Sequence, residues 1–131
     1  MEQKSDVWEA TRVITAALDG LDHTGEAAMS DTDKVLAMTT MRRLADRMVA
    51  TAALYTDLVA RSCASEHVTG TPLADFLAST EARTPKEGLG QVFQASRITA
   101  NQSVQEAALA GQVSPAHAAV IGDQLRHMPR A

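Results

Sequence analysis

Hydrophobic residues recur at intervals of three and four along most of the chain, a spacing typical of amphipathic α-helices. β-branched residues are scattered and never alternate with polar residues over the length of a strand. Ala and Leu, both strong helix formers, supply much of the apolar content. The pattern therefore predicts an all-α fold, with a long helical hairpin followed by a compact cluster of three to four short helices.

The predicted hairpin covers residues 5–65 of a single domain that spans 1–131. Its first helix runs from a cap at Ser5 to about Gly20, and a loop follows over residues 21–29. Its second helix begins among cap residues near Asp33 and meets neither Gly nor Pro before Cys63. At 1.5 Å per residue, this helix would be roughly 45 Å long.

One stripe of this long helix has the alternating spacing of a coiled-coil seam. Its members are Met41, Leu44, Met48, Thr51, Tyr55 and Leu58. Methionine-rich stripes are more often core than adaptable binding grooves, yet the length of this one favours self-association. The helix that covers it would come from a second copy, from the first helix folded back, or from another helical protein. All except Thr51 are candidate interaction residues.

The compact half is predicted over residues 71–128, after a hinge at His67–Gly70. Four helix-start signals divide it: Thr71-Pro72, a capping box at Thr84–Glu87, Asn101, and Ser114-Pro115. The helix after Asn101 is predicted to stop at Gly111, and the helix after Ser114 to stop at Pro129. The apolar sets of the second and last helices are Leu89, Val92 and Phe93, and Ala118, Val120, Ile121 and Leu125. Gly88 and Gly90 are consistent with close packing, a bend or a delayed helix start.

Composition points to a cytoplasmic protein. The 131 residues include one cysteine, Cys63, so no intrachain disulfide can form, as is usual in a reducing compartment. The chain lacks a long apolar run, and its first residues do not resemble a signal peptide. We expect no membrane contact, no cofactor and no small-molecule substrate.

The net charge of −4 does not indicate nucleic-acid binding, which usually requires a basic surplus. Even so, residues 71–98 have the order of a helix-turn-helix, whose second helix would enter a major groove. Candidate DNA contacts on this helix and its flanks are Arg83, Lys86, Gln91, Gln94, Arg97 and Asn101. The alternative is a solvated face of an ordinary helical hairpin.

Catalytic and metal-binding patterns are weak. Cys63 and His67 have a spacing that can bind a metal on a helix, but no second pair completes the site. Asp123 and His127 are predicted to form a surface contact, and His117 to be packed and hydrogen-bonded. Ser114 is predicted to be a helix N-cap. We therefore predict no catalytic residue, no metal site and no enzymatic activity.

The second half of the chain resembles a known family through the segments TPLADFLAST, VFQASRI and, most specifically, ALAGQVSPAHAAVI at residues 108–121. The family is domain-of-unknown-function family 222, the helical N-terminal domain of actinobacterial HNH-endonuclease proteins, which includes the mycobacterial thirteen-E-twelve repeat type. The chain lacks the His and Asn spacing of the nuclease module. It also carries few Arg in the helix over residues 86–98.

The resemblance implies a non-catalytic accessory or regulatory module associated with DNA transactions. Such a chain would be a short member of the family or an excised N-terminal domain. The competing hypothesis is a protein-interaction module that forms a homodimer, or binds another helical protein, without touching DNA.

Overall fold

The computed structural model describes residues 6–127, which contain seven α-helices, one short 3₁₀ helix and no strand. The prediction of an all-α fold is confirmed. The helices are α1 (Val7–Asp19), α2 (Asp31–Ser62), α3 (Ala64–Thr69), α4 (Leu73–Thr80), α5 (Pro85–Thr99), α6 (Gln102–Leu109) and α7 (Pro115–Arg126); the 3₁₀ helix is Glu26–Ala28.

The chain divides into two compact units, residues 1–37 and 38–131. In the first unit, α1 has Asp6 as its N-cap, whose carboxylate accepts a hydrogen bond from the backbone N–H of Glu9 at 3.0 Å. Ser5, the predicted cap, lies outside the described residues. The helix ends at Gly20 as predicted, and none of its residues is buried. The packing of α1 into a hairpin stays a prediction.

The long helix α2 is continuous over 32 residues. The hydroxyl of Ser30 accepts a hydrogen bond from the backbone N–H of Asp33 at 3.1 Å and so caps the first turn. The helix ends where Cys63 adopts a left-handed conformation with φ of 55°. Residues 67–69, placed in the predicted hinge, belong instead to α3, which ends at Gly70 with φ of 73°.

The second unit depends on two places where helix backbones approach closely. A Cβ atom added to Gly88 of α5 would lie 2.2 Å from the carbonyl oxygen of Ala74 in α4. A Cβ atom added to Gly122 of α7 would lie 2.2 Å from the carbonyl oxygen of Arg97 in α5. Gly88 is therefore explained by close packing. Gly90 faces open space, so its presence in the helix has no packing reason.

The core of the second unit is built mainly from small side chains. Its buried residues come from four helices: Ala50 and Ala53 of α2, Ala95 and Ile98 of α5, Val104 and Ala108 of α6, and Ala118 and Ala119 of α7. Small side chains let the helices approach closely, so larger ones are pushed to the surface. Leu89, Phe93, Val120 and Leu125, which the sequence assigned to apolar sets, are exposed for this reason.

Three of the four predicted start signals of the compact unit are confirmed as side-chain caps, whereas α4 begins after Pro72 without a capping side-chain hydrogen bond. Thr84 and Glu87 form a reciprocal capping box, in which each side chain bonds to the backbone N–H of the other residue. Asn101 caps α6, and the Ser114 hydroxyl caps α7 by accepting from the backbone N–H of His117 at 3.1 Å. These bonds satisfy amide groups that the first helical turn leaves without partners.

Candidate protein-interaction surface on α2

Charged and apolar residues lie on different sides of α2 within the second unit. At about 100° per residue, all charged positions between 38 and 62 fall within an arc of about 140°. They are Arg42, Arg43, Asp46, Arg47, Asp57 and Arg61. The same arc holds Ala50, which is fully buried, and Ala53. The charged side of the helix is thus the side that packs on the core.

Local contacts explain how charges are accommodated beside a core. The Arg47 Nε donates a hydrogen bond to the carbonyl oxygen of Leu109 at 2.9 Å and satisfies an acceptor at the end of α6. The aliphatic stems of Arg43 and Arg47 border Gly111, where a Cβ would lie within 3.0 Å of them. Asp57 is buried, and its carboxylate lies 2.7 Å from the Arg61 Nε.

The other side of α2 is uncharged between residues 38 and 62 and carries the predicted stripe. We call the six residues Met41, Leu44, Met48, Thr51, Tyr55 and Leu58 the seam. Its five large side chains are exposed by 41% at Tyr55 to 58% at Leu58. The seam is not part of the buried core of this unit, to which α2 contributes Ala50 and Ala53 instead. Its role in association stays a prediction.

Several predicted DNA contacts already have partners within the protein. The Arg83 Nε lies 2.7 Å from a carboxylate oxygen of Glu81. The Arg97 Nε lies 3.3 Å from the Asp123 carboxylate, and its guanidinium lies 5.7 Å from the centroid of the Phe93 ring. The side-chain oxygen of Asn101 accepts from the backbone N–H of Val104.

The remaining candidates lie on different parts of α5. Gln91 and Gln94 are half-buried, whereas Lys86 is exposed. Beside Lys86, the outer side of the helix presents the apolar residues Leu89 and Phe93. The six candidates therefore do not form a uniformly exposed polar face, and direct DNA contact stays a prediction.

Side chains that could take part in catalysis or metal binding are dispersed over the described residues. Among residues 6–127, no three His, Cys, Asp or Glu side chains come together as a metal site would require. His117 is exposed, which corrects the prediction of a packed histidine; only its backbone N–H takes part in capping. Asp123 contacts His127 as predicted, at 3.7 Å, and also contacts Arg97 and Arg126.

The separation of charged and apolar residues on opposite sides of α2 is visible in the sequence, but the sequence does not show which side meets the core. The stripe was identified from apolar spacing alone, which gives no indication of which side meets the core. The positions of the charged residues, all on the side opposite the seam, are equally visible in the sequence. These positions suggest that the charged side faces solvent, which is wrong because Arg47 and Asp57 contact or lie within the core side.

Within the part of the chain that the structure describes, no helix combines the length and apolar character needed to cross a membrane. The resemblance to family 222 stays a prediction. Comparison of the chain with protein-family models, curated proteins and solved structures found no match.

Proposed function

We propose that this protein is a non-catalytic helical module that assembles with other helices through the seam. The observation that supports the proposal is the placement of large apolar side chains on the solvent side of α2, while small and charged residues face the core. Contiguous exposed apolar surface is characteristic of protein-binding sites rather than of ordinary monomer surface.

The seam also has the dimensions of a helix-binding surface. Met41 and Leu58 are 17 positions apart in one helix, which corresponds to about 26 Å along its axis. Three of its members are methionine or tyrosine, side chains that are enriched in interfaces. A partner helix that covered the seam would remove this apolar area from water, which is the main favourable term in most protein association.

Light scattering as a function of concentration tests the proposal. We expect the wild-type mass to rise above the chain mass of 13.9 kDa in the micromolar range and to fall back to it in Met48→Glu. Val68→Glu is the matched control, because Val68 is 83% exposed on α3 and does not belong to the seam. A wild-type protein that remains monomeric at several hundred micromolar would contradict the proposal.

The resemblance to HNH-associated domains suggests DNA association as the competing function. Affinity for DNA depends on releasing counterions with several unpaired cations, and two of the three candidate cations are paired with Glu81 and Asp123. We expect no DNA binding at about 50 mM salt. Binding that weakens steeply at about 200 mM salt, and that Lys86→Ala reduces, would favour the DNA function instead.

A further inference from the structure

We propose that a groove on the charged side of α2 binds a phosphate group carried by a small molecule, with Arg42 and Arg43 as its cationic ligands. The groove has a volume of about 350 Å³ and lies within the second unit. Its lining residues are Met38, Thr39, Arg42, Arg43, Asp46 and Gly111. The inference goes beyond the proposed function and does not involve the seam, which lies on the opposite side of the helix.

Arg42 and Arg43 differ from the other arginines of residues 6–127 in having no partner within the protein. The ion-paired arginines of this range are Arg12, Arg61, Arg83, Arg97 and Arg126, and Arg47 donates to a backbone carbonyl. Asp46 follows Arg42 and Arg43 by four and three positions, spacings at which ion pairs form on a helix, yet it pairs with neither. Two exposed guanidinium groups with unused donors therefore border one groove.

The turn after α6 holds the stem of one of these arginines. A Cβ atom added to Gly111, whose φ is 77°, would lie 2.9 Å from the Cγ of Arg43 and 3.0 Å from the Cγ of Arg47. The aliphatic parts of both side chains therefore pack against the backbone of this turn. The head group of Arg47 is used by the Leu109 carbonyl, whereas that of Arg43 is unused. A stem that is already held loses less rotamer freedom when its guanidinium group binds a ligand.

The number of arginines favours a phosphate group over a carboxylate. A guanidinium group offers parallel N–H donors that match two oxygens of an oxyanion, so one arginine is enough for a carboxylate. A phosphate monoester carries a charge of about −1.5 to −2 at neutral pH and three acceptor oxygens. It therefore uses both Arg42 and Arg43, which line the same groove.

Asp46 indicates that the phosphate belongs to a larger molecule. Its half-buried carboxylate lies on the helix between the directions of Arg42 and Arg43, one turn further along, and lines the same groove. A carboxylate repels a bare phosphate ion but accepts a hydrogen bond from a hydroxyl group. A small phosphorylated molecule with hydroxyl groups satisfies both the arginines and Asp46.

An NMR titration of the arginine Nε–Hε signals with glycerol phosphate, at constant ionic strength and neutral pH, tests the proposal. We expect saturable shifts at Arg42 and Arg43 and none at Arg61, which is paired with Asp57. Arg43→Gln keeps the Cγ that packs against Gly111 and removes the guanidinium group, so it should weaken binding about tenfold. Arg43→Lys keeps the charge without the paired donors and should weaken binding less.

Two further variants complete the experiment. Arg83→Gln is the matched control, because Arg83 is paired with Glu81 and does not line the groove. Asp46→Asn should tighten the binding of inorganic phosphate, because it removes the repelling charge. Shifts that rise linearly with concentration, or binding of acetate as tight as that of glycerol phosphate, would overturn the proposal. Preferential binding of a DNA duplex at Arg42 and Arg43 would overturn the small-molecule assignment and favour the competing function.

Discussion

Large apolar side chains are scarce in the core of the second unit and abundant on the outer side of α2. The core uses Ala at most of its buried positions and brings backbones together at Gly88 and Gly122. The seam presents Met, Leu and Tyr to solvent. The difference shows that the unit closes on itself through small residues and leaves larger apolar side chains on the outer side of α2, the surface that we propose binds another helix.

The largest expected difference between the core and the seam is the loss of unfolding free energy when one α2 residue on each side is substituted. Ala50→Glu places a carboxylate at a fully buried position, so we expect a loss of about 4 kcal/mol in the free energy of unfolding. Met48→Glu, two residues away on the outer side, should change it by less than about 0.5 kcal/mol in the monomer. Urea denaturation at low protein concentration measures both. Similar losses in the two variants would show that the seam is part of the core.

Substitutions at the close approaches of the helix backbones are expected to cause the next largest loss of unfolding free energy. Adding a Cβ at Gly88 or Gly122 forces two backbones apart, and we expect each Ala variant to lose about 3 kcal/mol of unfolding free energy. Gly90→Ala is the matched control in the same helix as Gly88. Because that position faces open space, the variant should gain about 0.5–1 kcal/mol from helix propensity. Equal effects at Gly88 and Gly90 would contradict the close approach of α4 and α5.

A smaller effect is expected at the start of α7. Removing the Ser114 hydroxyl leaves the backbone N–H of His117 without its cap, and Ser114→Ala should lower the free energy of unfolding by about 1 kcal/mol. It should leave the light-scattering mass unchanged, since the hydroxyl caps α7 and Ser114 does not belong to the seam. Ser96→Ala, at an exposed position within α5, is the control. An unchanged melting temperature for Ser114→Ala would argue against the capping role.

The smallest effect concerns the capping box of α5. Hydrogen bonding from the Thr84 backbone, and then from its side chain, lowers the pKa of Glu87 below its usual 4.5. Because the folded state holds the depressed pKa, this contribution to stability is present above the unfolded-state pKa and is lost as pH falls through the folded-state value. In an NMR acid titration, the carboxyl chemical shift of Glu87 should titrate below 4.5. A midpoint at or above 4.5 would refute the depressed pKa of Glu87.

Local signals predicted most helix boundaries of the compact unit. The capping box at Thr84, the Asn101 and Ser114 caps and the stop at Gly111 involve residues close in sequence, so their hydrogen bonds follow from residue type and spacing. The end of α2 near Cys63 was predicted as well. The helix α3 was missed, because the turn before it is made at Cys63, a residue with no particular preference for the left-handed conformation.

The sequence by itself determined the helical class, the caps and the existence of a long apolar stripe, since each depends on local spacing and propensity. Only the tertiary structure decided which side of α2 meets the core. That choice depends on residues distant in sequence, such as the Leu109 carbonyl that accepts from Arg47 and the residues of α5, α6 and α7 that share a buried cluster with Ala50 and Ala53. It left the stripe exposed, because helices that pack through Ala and Gly leave no room between them for Met and Tyr.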